Sequence, residues 1–176
     1  MTSALLTDRY ELTMIDAAIR SGMHERECVF EVFARRLPEG RRYGIVAGTG
    51  RLLDLIREFR FEEPELQWLD ELGVVTRPTL DWLADYRFRG NISGYQEGEV
   101  YFPNSPILRV DGGFAEGVIL ETLALSVFNY DSAIASAAAR MVSAADSFAR
   151  REPISARGRP SAAETIRLAA LATALS

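Results

Sequence analysis

The chain has 176 residues, of which 48% are hydrophobic and 26% charged, and its formal net charge is -5. This composition is typical of a soluble globular protein, and the acidic balance argues against a nucleic-acid-binding domain. We find no apolar run of membrane-spanning length and no signal-peptide pattern, so we expect a cytoplasmic protein without membrane partners.

The rare residue types narrow the chemistry further. The chain contains one cysteine, Cys28, and one histidine, His24, and its 20 basic residues are all arginine. An internal disulfide and a histidine-rich metal site are therefore excluded within the chain, and we expect no metal ligands in it. The lack of lysine also excludes a Schiff-base mechanism and a lysine-modified carrier domain.

The first half of the sequence predicts helices around a short strand. Residues Leu5–Ile19 predict a helix with Thr7 or Asp8 as N-cap and Glu11 completing a capping box, and Ser21-Gly22 ends it. The β-branched and aromatic stretch Cys28–Phe33 predicts a strand buried on both faces. Further periodic segments predict a short strand at Tyr43–Val46 and helices at Arg51–Phe59, Glu63–Leu72 and Pro78–Tyr86.

The second half changes character. Glycines and prolines punctuate Phe88–Val110, which predicts a compact β section. Helical patterns follow at Glu116–Phe128 and at the alanine-rich Ser132–Ala145. A capping box at Ser161–Glu164 predicts one more helix, which continues to Leu175.

Several motifs have more than one interpretation. Gly48-Thr49-Gly50 precedes a helix and could cradle a phosphate, but a tight turn explains the glycines as well and is favoured. Four arginines could form an anion-binding patch, although solvated flanks of a turn are favoured: Arg35, Arg36, Arg41 and Arg42.

The aromatic residues and the histidine also allow structural interpretations. Tyr10 could pack in the core behind Met14, four residues later on the same helix face. Trp68 and Trp82 lie beside leucines at helical spacing and are interpreted as core. His24 is interpreted as an exposed residue of a turn.

Four segments, in this order, carry a resemblance to a known family. They are LLTDRYELTM, FEVFARRLPEGRRYGIVAGTGRLLDLI, YRFRGNISGYQEGEVYFPNSPILRV and AEGVILETLALSVFNYDSAIASAAARM. Together, over about Leu5–Ala145, they resemble the nicotinate phosphoribosyltransferases.

The resemblance implies an α/β (α+β) fold, in which a mixed sheet with packing helices and a hammerhead-like β section leads into an α/β barrel. It implies a glycosyltransferase, also classed as a ligase, that makes nicotinate mononucleotide and pyrophosphate from nicotinate and phosphoribosyl pyrophosphate in NAD salvage. ATP and Mg are the implied cofactors of the family, and a homodimer is the implied assembly. No cofactor is expected to be held by this chain itself.

The resemblance also assigns candidate substrate-binding residues. The family's threonine-aspartate-x-tyrosine motif matches Thr7, Asp8 and Tyr10. In related enzymes the tyrosine covers the pyridine ring bound by the neighbouring subunit, which implies that role for Tyr10. Asp8 would lie beside the ribose or cap the helix, and both roles remain open.

The chain departs from the family after Ala145. The phosphorylated histidine, the arginine-rich barrel strand and the phosphate-binding loops lie beyond the matched region, so we expect no catalytic residue here. Ser136 and Ala137 stand where the family often has threonine and lysine.

We therefore expect an amino-terminal domain at residues 1–130, and the start of the barrel with a divergent tail at 131–176. The chain is either part of the enzyme or a non-catalytic fragment retaining fold or dimer contacts. We expect uncovered apolar surface where the barrel would dock, on the alanine-rich helix and, before it, on Val118, Leu120, Leu123, Leu125 and Phe128.

Overall fold

A computed structural model of the chain describes residues 4–151. A short 3₁₀ helix, Ala4–Leu6, precedes the first α-helix. The helices are α1 (Arg9–Arg20), α2 (Thr49–Glu58), α3 (Glu63–Glu71), α4 (Arg77–Asp85), α5 (Phe114–Val118) and α6 (Glu121–Arg151). The strands are β1 (Glu27–Val32), β2 (Gly44–Ile45), β3 (Asn91–Gly94), β4 (Val100–Tyr101) and β5 (Leu108–Gly113).

The described chain divides into two compact units, each assembled from separate stretches of sequence. Among the described residues, the first unit contains 4–32, 52–94 and 108–126, and the second contains 33–51, 95–107 and 127–151. Helices α2 and α6 contribute residues to both units. The expected domain boundary at residue 130 stays a prediction.

The first unit is built on an antiparallel sheet of order β1-β5-β3. Strand β5 is central, with Val110 opposite Phe30 of β1 on one side and opposite Ile92 of β3 on the other. Helix α5 packs on β1 and β5, and α1 packs on α4 and α5. Fully buried side chains from the helices, from the residues that follow them and from β5 form the core, including Ile15, Leu52, Phe59, Leu69, Leu83, Leu108, Ile119 and Leu123.

The second unit pairs β2 with β4 in a two-stranded antiparallel sheet. The small side chains of Ala135 and Ala139 on α6 pack in one buried cluster with Ile45 and Ala47 from the β2 region. Two serines on the same helix accept hydrogen bonds from backbone N–H groups of this region. Ser136 Oγ accepts from the Ile45 N–H at 2.8 Å, and Ser132 Oγ accepts from the Ala47 N–H at 3.2 Å. The alanine-rich sequence of α6 thus lets a strand approach closely and still satisfies its buried backbone donors.

The expected α/β class is confirmed, and the described strand pairings are all antiparallel. The predicted β section was wrong as a single unit, because β3 and β5 pair with β1 whereas β4 pairs with β2. Strand β1 was predicted to be buried on both faces, but its residues alternate between exposed and half-buried. One face of this sheet is therefore uncovered at β1.

The predicted pair of helices at Glu116–Phe128 and Ser132–Ala145 was wrong. A short helix, α5, is followed by the continuous 31-residue α6. Neither glycine nor proline lies between Phe128 and Ser132, so no residue there breaks the helix. The charge of Asp131 is paired with Arg51 of α2, which allows Asp131 to be buried in the middle of α6. The helix predicted from Ser161 to Leu175 lies outside the described residues.

The expected uncovered apolar surface was placed wrongly at four of the five named residues, but correctly on the alanine-rich helix after them. Val118, Leu120, Leu123 and Phe128 are all buried, and of that set Leu125 alone is exposed. The exposed apolar side chains of α6 lie further along, at Tyr130, Ile134 and Met141.

The stretch Phe114–Ser147 is long and apolar enough to cross a membrane by length and composition alone. However, 56% of its most apolar window is buried inside the protein. Core helices of soluble proteins have the same character, and we interpret α6 as one of them.

Candidate functional site

Tyr10 lies in the first turn of α1 and its ring is exposed. The side chain is 46% exposed, and Met14 beside it on the same helix face is 41% exposed. The interpretation of Tyr10 as a core residue is therefore wrong. Because an exposed aromatic ring on a rigid helix can contact another molecule, the geometry suits a surface platform.

The phenol of Tyr10 is fixed by a neighbouring carboxylate. Partial desolvation of the hydroxyl, its hydrogen bond to Glu121 and nearby negative charges raise the pKa of Tyr10 to about 12. The hydroxyl therefore stays protonated at neutral pH and donates to Glu121 at the start of α6. The bond holds one edge of the ring and leaves the rest of its surface exposed.

Asp8 precedes Tyr10 as the N-cap of α1, with extended backbone angles. Its N–H donates to the Glu11 carboxylate at 3.1 Å, and its carbonyl accepts from the Glu11 N–H at 3.0 Å. The Asp8 residue is exposed. The predicted N-cap is confirmed, whereas a contact with ribose stays a prediction.

Glu11 lies beneath this segment and is completely buried. Its Oε1 accepts from the Thr122 N–H at 2.9 Å and from the Thr122 hydroxyl at 2.6 Å, while Oε2 accepts from the Thr7 hydroxyl. A buried carboxylate needs such donors, because an unpaired one would cost several kcal/mol. Glu11 therefore ties the Thr7–Tyr10 segment to the first turn of α6.

Sequence reasoning identified Glu11 only as part of a capping box. Its burial and its bonds to Thr122, 111 positions away in sequence, were missed. The available signal was the position of an acidic residue on the apolar side of α1, one residue before Leu12.

A second carboxylate anchors the middle of α1. Asp16 is buried and accepts hydrogen bonds from the Thr76 N–H at 2.8 Å, the Thr76 hydroxyl at 2.6 Å and the Thr79 hydroxyl at 2.7 Å. Its other oxygen lies 3.1 Å from the Arg20 guanidinium. Burial disfavours the charged form, but the threonine hydrogen bonds and Arg20 outweigh it and lower the pKa of Asp16. The carboxylate fixes α1 against the start of α4.

In the second unit, the Gly48-Thr49-Gly50 turn does bind an anion, but one that belongs to the chain itself. The Gly48 and Gly50 N–H groups both donate to the Glu97 carboxylate, at 3.0 Å to the same Oε1 atom. The positive end of the α2 dipole stabilises that charge. The site is therefore a structural turn with an internal counter-charge, in agreement with the favoured interpretation.

The arginines, Ser136, the two tryptophans and His24 have the following places in the structure. The four arginines of the suspected anion patch are all exposed, and within residues 4–151 none of their side chains makes a hydrogen bond or ion pair. The Ser136 hydroxyl accepts a hydrogen bond from the Ile45 N–H of β2. Trp68 is 50% exposed, so its interpretation as core was wrong, while Trp82 is half-buried. His24 lies in the predicted turn, but its side chain is only 25% exposed.

Comparison with known proteins agrees with this architecture of helices on small antiparallel sheets. Residues 5–129 match the model of the nicotinate phosphoribosyltransferase N-terminal domain. The chain belongs to the nicotinate phosphoribosyltransferase family.

Individual relatives give the extent of the similarity. The chain is 60% identical over 143 residues to the nicotinate phosphoribosyltransferase pncB1 of Mycobacterium tuberculosis, covering 81% of this chain and 32% of that protein. The Bacillus subtilis nicotinate phosphoribosyltransferase is 36% identical over 139 residues, covering 78% of this chain and 28% of that protein. This chain thus spans about a third or less of the length of these relatives.

A solved structure supports the fold. The crystal structure of human nicotinic acid phosphoribosyltransferase matches with a TM-score of 0.70 and 29% identity, over 76% of this chain and 27% of the human chain.

Proposed function

We propose that this chain is the amino-terminal domain of a nicotinate phosphoribosyltransferase that acts in NAD salvage. In this reaction the pyridine nitrogen of nicotinate bonds to C1 of the ribose of phosphoribosyl pyrophosphate, and pyrophosphate leaves. The names and similarity of the relatives support the assignment. The buried face of α6 supports a soluble protein, and we propose that the enzyme is cytoplasmic.

The observation that carries the proposal is the presentation of Tyr10. Its ring is exposed, its hydroxyl is bonded to Glu121, and buried Glu11 fixes the backbone next to it. An aromatic ring held in this way can stack on flat nicotinate, with a gain of about 0.5 to 1.5 kcal/mol beyond area burial. We propose that Tyr10 covers nicotinate in the site of the second subunit of a homodimer.

Asp8 is the other proposed contact. As N-cap of α1 its backbone bonds to Glu11, while the residue itself is exposed. The carboxylate is thus available to accept a hydrogen bond from a ribose hydroxyl.

ATP and Mg²⁺ drive the reaction in the family. Among the described residues, no group of three or more histidine, cysteine or acidic side chains could hold a metal ion. That this chain itself holds neither cofactor stays an expectation, and we assign no step through them here.

The proposal implies that the chain needs a complementary catalytic region. Stabilising the departing pyrophosphate requires positioned cationic groups, and the four arginines of the suspected anion patch are exposed and unpaired in the described structure. The alternative is a non-catalytic fragment that retains only fold or dimer contacts.

A pyrophosphate-release assay with two proteins tests the proposal. The chain alone should show background turnover with nicotinate, phosphoribosyl pyrophosphate and ATP. A chimera with residues 1–145 of this chain in place of the matching part of the Mycobacterium tuberculosis relative should turn over. A folded but inactive chimera would support the fragment alternative.

A further inference from the structure

A half-enclosed cavity of about 380 Å³ lies in the first unit, apart from Tyr10. The turn after α1, the end of α4, the residues leading into β3 and the end of β5 surround it. Its volume is at the lower end of the range for small-molecule sites, which is roughly 300 to 1,000 Å³. The cavity can therefore hold a molecule of one or two rings.

One wall of the cavity is aromatic and rigid. The Trp82 and Tyr86 rings pack at a centroid distance of 5.2 Å, and Phe59 supports Tyr86 from the core at 5.7 Å. Tyr86 is 3% exposed, and burial followed by the nearby Glu116 charge raises the pKa of its phenol, so it stays neutral. Trp82 is half-buried and presents the more accessible surface to the cavity.

The rim of the cavity is fixed by Glu116. Its two carboxylate oxygens accept from the Arg89 N–H at 3.2 Å and from the Gly113 N–H at 3.1 Å. These bonds tie α5 to the chain entering β3 and to the end of β5. Because both oxygens of Glu116 accept these backbone hydrogen bonds, its carboxylate is not a free anion facing the cavity.

Of the other charged side chains that line the cavity, one cation has no partner in the described part of the chain. Arg87 donates to the Tyr86 carbonyl, but the Arg89 guanidinium has no hydrogen-bond or ion-pair partner in the described part of the chain. The Glu25 side chain is 88% exposed and lies 3.9 Å from Nε2 of His24. Asp85 is exposed on the cavity wall.

We propose that this cavity binds a small molecule consisting of a planar aromatic ring with a phosphate or carboxylate group. The ring packs against Trp82, and the anionic group pairs with the planar guanidinium of Arg89, which suits two-point bonding to oxyanions. Asp85 accepts a hydrogen bond from an amino or hydroxyl group on the ring portion. This site is additional to the proposed nicotinate contact at Tyr10.

Tryptophan fluorescence of the whole chain tests the proposal without any catalytic turnover. In a Trp68→Phe background, Trp82 is the remaining tryptophan of the sequence and reports directly on the cavity. The probes are AMP for an aromatic phosphate and benzoate for an aromatic carboxylate. Adenosine and inorganic phosphate, which each lack one of the two features, are the controls.

Saturable quenching by AMP, benzoate or both is expected, with weaker binding of both controls. Arg89→Gln should raise the Kd of the bound probe about tenfold or more, the usual effect of losing a charged hydrogen bond. Arg77→Gln, which changes an arginine of α4 paired with Asp81, should leave the Kd unchanged. Circular dichroism of each variant verifies folding.

Binding of either probe that depends on Arg89 supports the proposal and shows which anionic group is preferred. The proposal is overturned if neither probe quenches saturably, or if Arg89→Gln folds and leaves the Kd unchanged. Neither outcome bears on Tyr10, so this test and that of the proposed function can fail independently.

Discussion

At Gly48 the backbone has a φ of 98°, a conformation that side chains other than glycine rarely adopt. A Cβ atom there would also lie 2.6 Å from Oδ2 of Asp131. That carboxylate is buried and forms a two-point ion pair with Arg51, at 2.7 and 3.0 Å. Glycine is therefore required both by the turn and by the close approach of an ion pair.

Gly48→Ala should lower the free energy of unfolding by about 2 to 4 kcal/mol, since backbone strain and overpacking add at this position. Gly50→Ala is the matched control, because its Cβ would meet nothing closer than 3.9 Å and its φ is not positive. Urea denaturation should show little loss for the control. Equal losses in both variants would contradict this account of the turn.

Asp16 gives stability a defined pH dependence. Its folded-state pKa lies below the ordinary value of 3.8, because the hydrogen bonds from Thr76 and Thr79 outweigh its burial. The unfolded chain therefore binds the proton more readily. The stabilisation is fully present above the unfolded pKa and is lost as pH falls through the folded pKa.

Asp16→Asn should cost about 2 to 3 kcal/mol at neutral pH, since hydrogen bonds to a charged acceptor are replaced by weaker ones. The loss should shrink below about pH 4, where the unfolded carboxyl is protonated. Asp54→Asn removes an exposed ion pair with Arg57 and should change little. A deficit for Asp16→Asn that is constant from pH 7 to about pH 3 would contradict the ionised role.

At the scale of elements, the joint between α1 and α6 depends on Glu11. Glu11→Leu would leave the half-buried Thr122 N–H and Thr7 hydroxyl without their acceptor, and an unpaired group costs about 1 to 3 kcal/mol when it is buried. We expect a total loss of about 2 to 4 kcal/mol for Glu11→Leu and a smaller one for Glu11→Gln.

Hydrogen exchange locates the effect of the Glu11 substitution. Faster exchange in Glu11→Leu should concentrate at the start of α1 and at Thr122. Exchange that rises evenly through the first unit would indicate general loss of packing instead.

The elements that sequence patterns predicted best are those with local signals. Helix α1 has a cap at Asp8, a regular apolar face and a stop at Gly22, all of which depend on neighbouring residues. The single helix α6 was missed because Asn129-Tyr130-Asp131 is polar, and only the partner Arg51 shows why Asp131 is buried there. The pairing of β5 with both β1 and β3 joins distant segments and has no local signature.

The candidate site, like the fold, could be predicted only where its residues lie close together in the sequence. Tyr10 and Asp8 came from a short motif within one helical turn. Glu121, which bonds to the Tyr10 hydroxyl, and Thr122, which bonds to Glu11, lie more than 100 positions away, so only the folded chain brings them together.

For the whole molecule, the chain covers 32% of the length of its Mycobacterium tuberculosis relative, so the surface that contacts the remainder should be exposed here. Tyr130, Ile134 and Met141 on α6 are 62%, 37% and 71% exposed. Apolar side chains at this helical spacing form a stripe, and such stripes favour association.

The isolated chain should therefore associate at high concentration. Replacing the stripe with Tyr130→Ser and Met141→Glu should increase the monomer fraction in light scattering. Asn129→Asp, which adds a charge at an exposed position about 100° around the helix from Tyr130, is the control. A wild-type chain that stays monomeric would contradict the prediction.

The central claim is that Tyr10 is an exposed platform for nicotinate, and the nicotinate KM of Tyr10 variants in the active chimera tests it most directly. Stacking needs the ring more than the hydroxyl, so Tyr10→Phe should change the KM little. Tyr10→Ala should raise it about fivefold to thirtyfold, corresponding to about 1 to 2 kcal/mol, with unchanged stability. A folded Tyr10→Ala chimera with an unchanged nicotinate KM would contradict the claim.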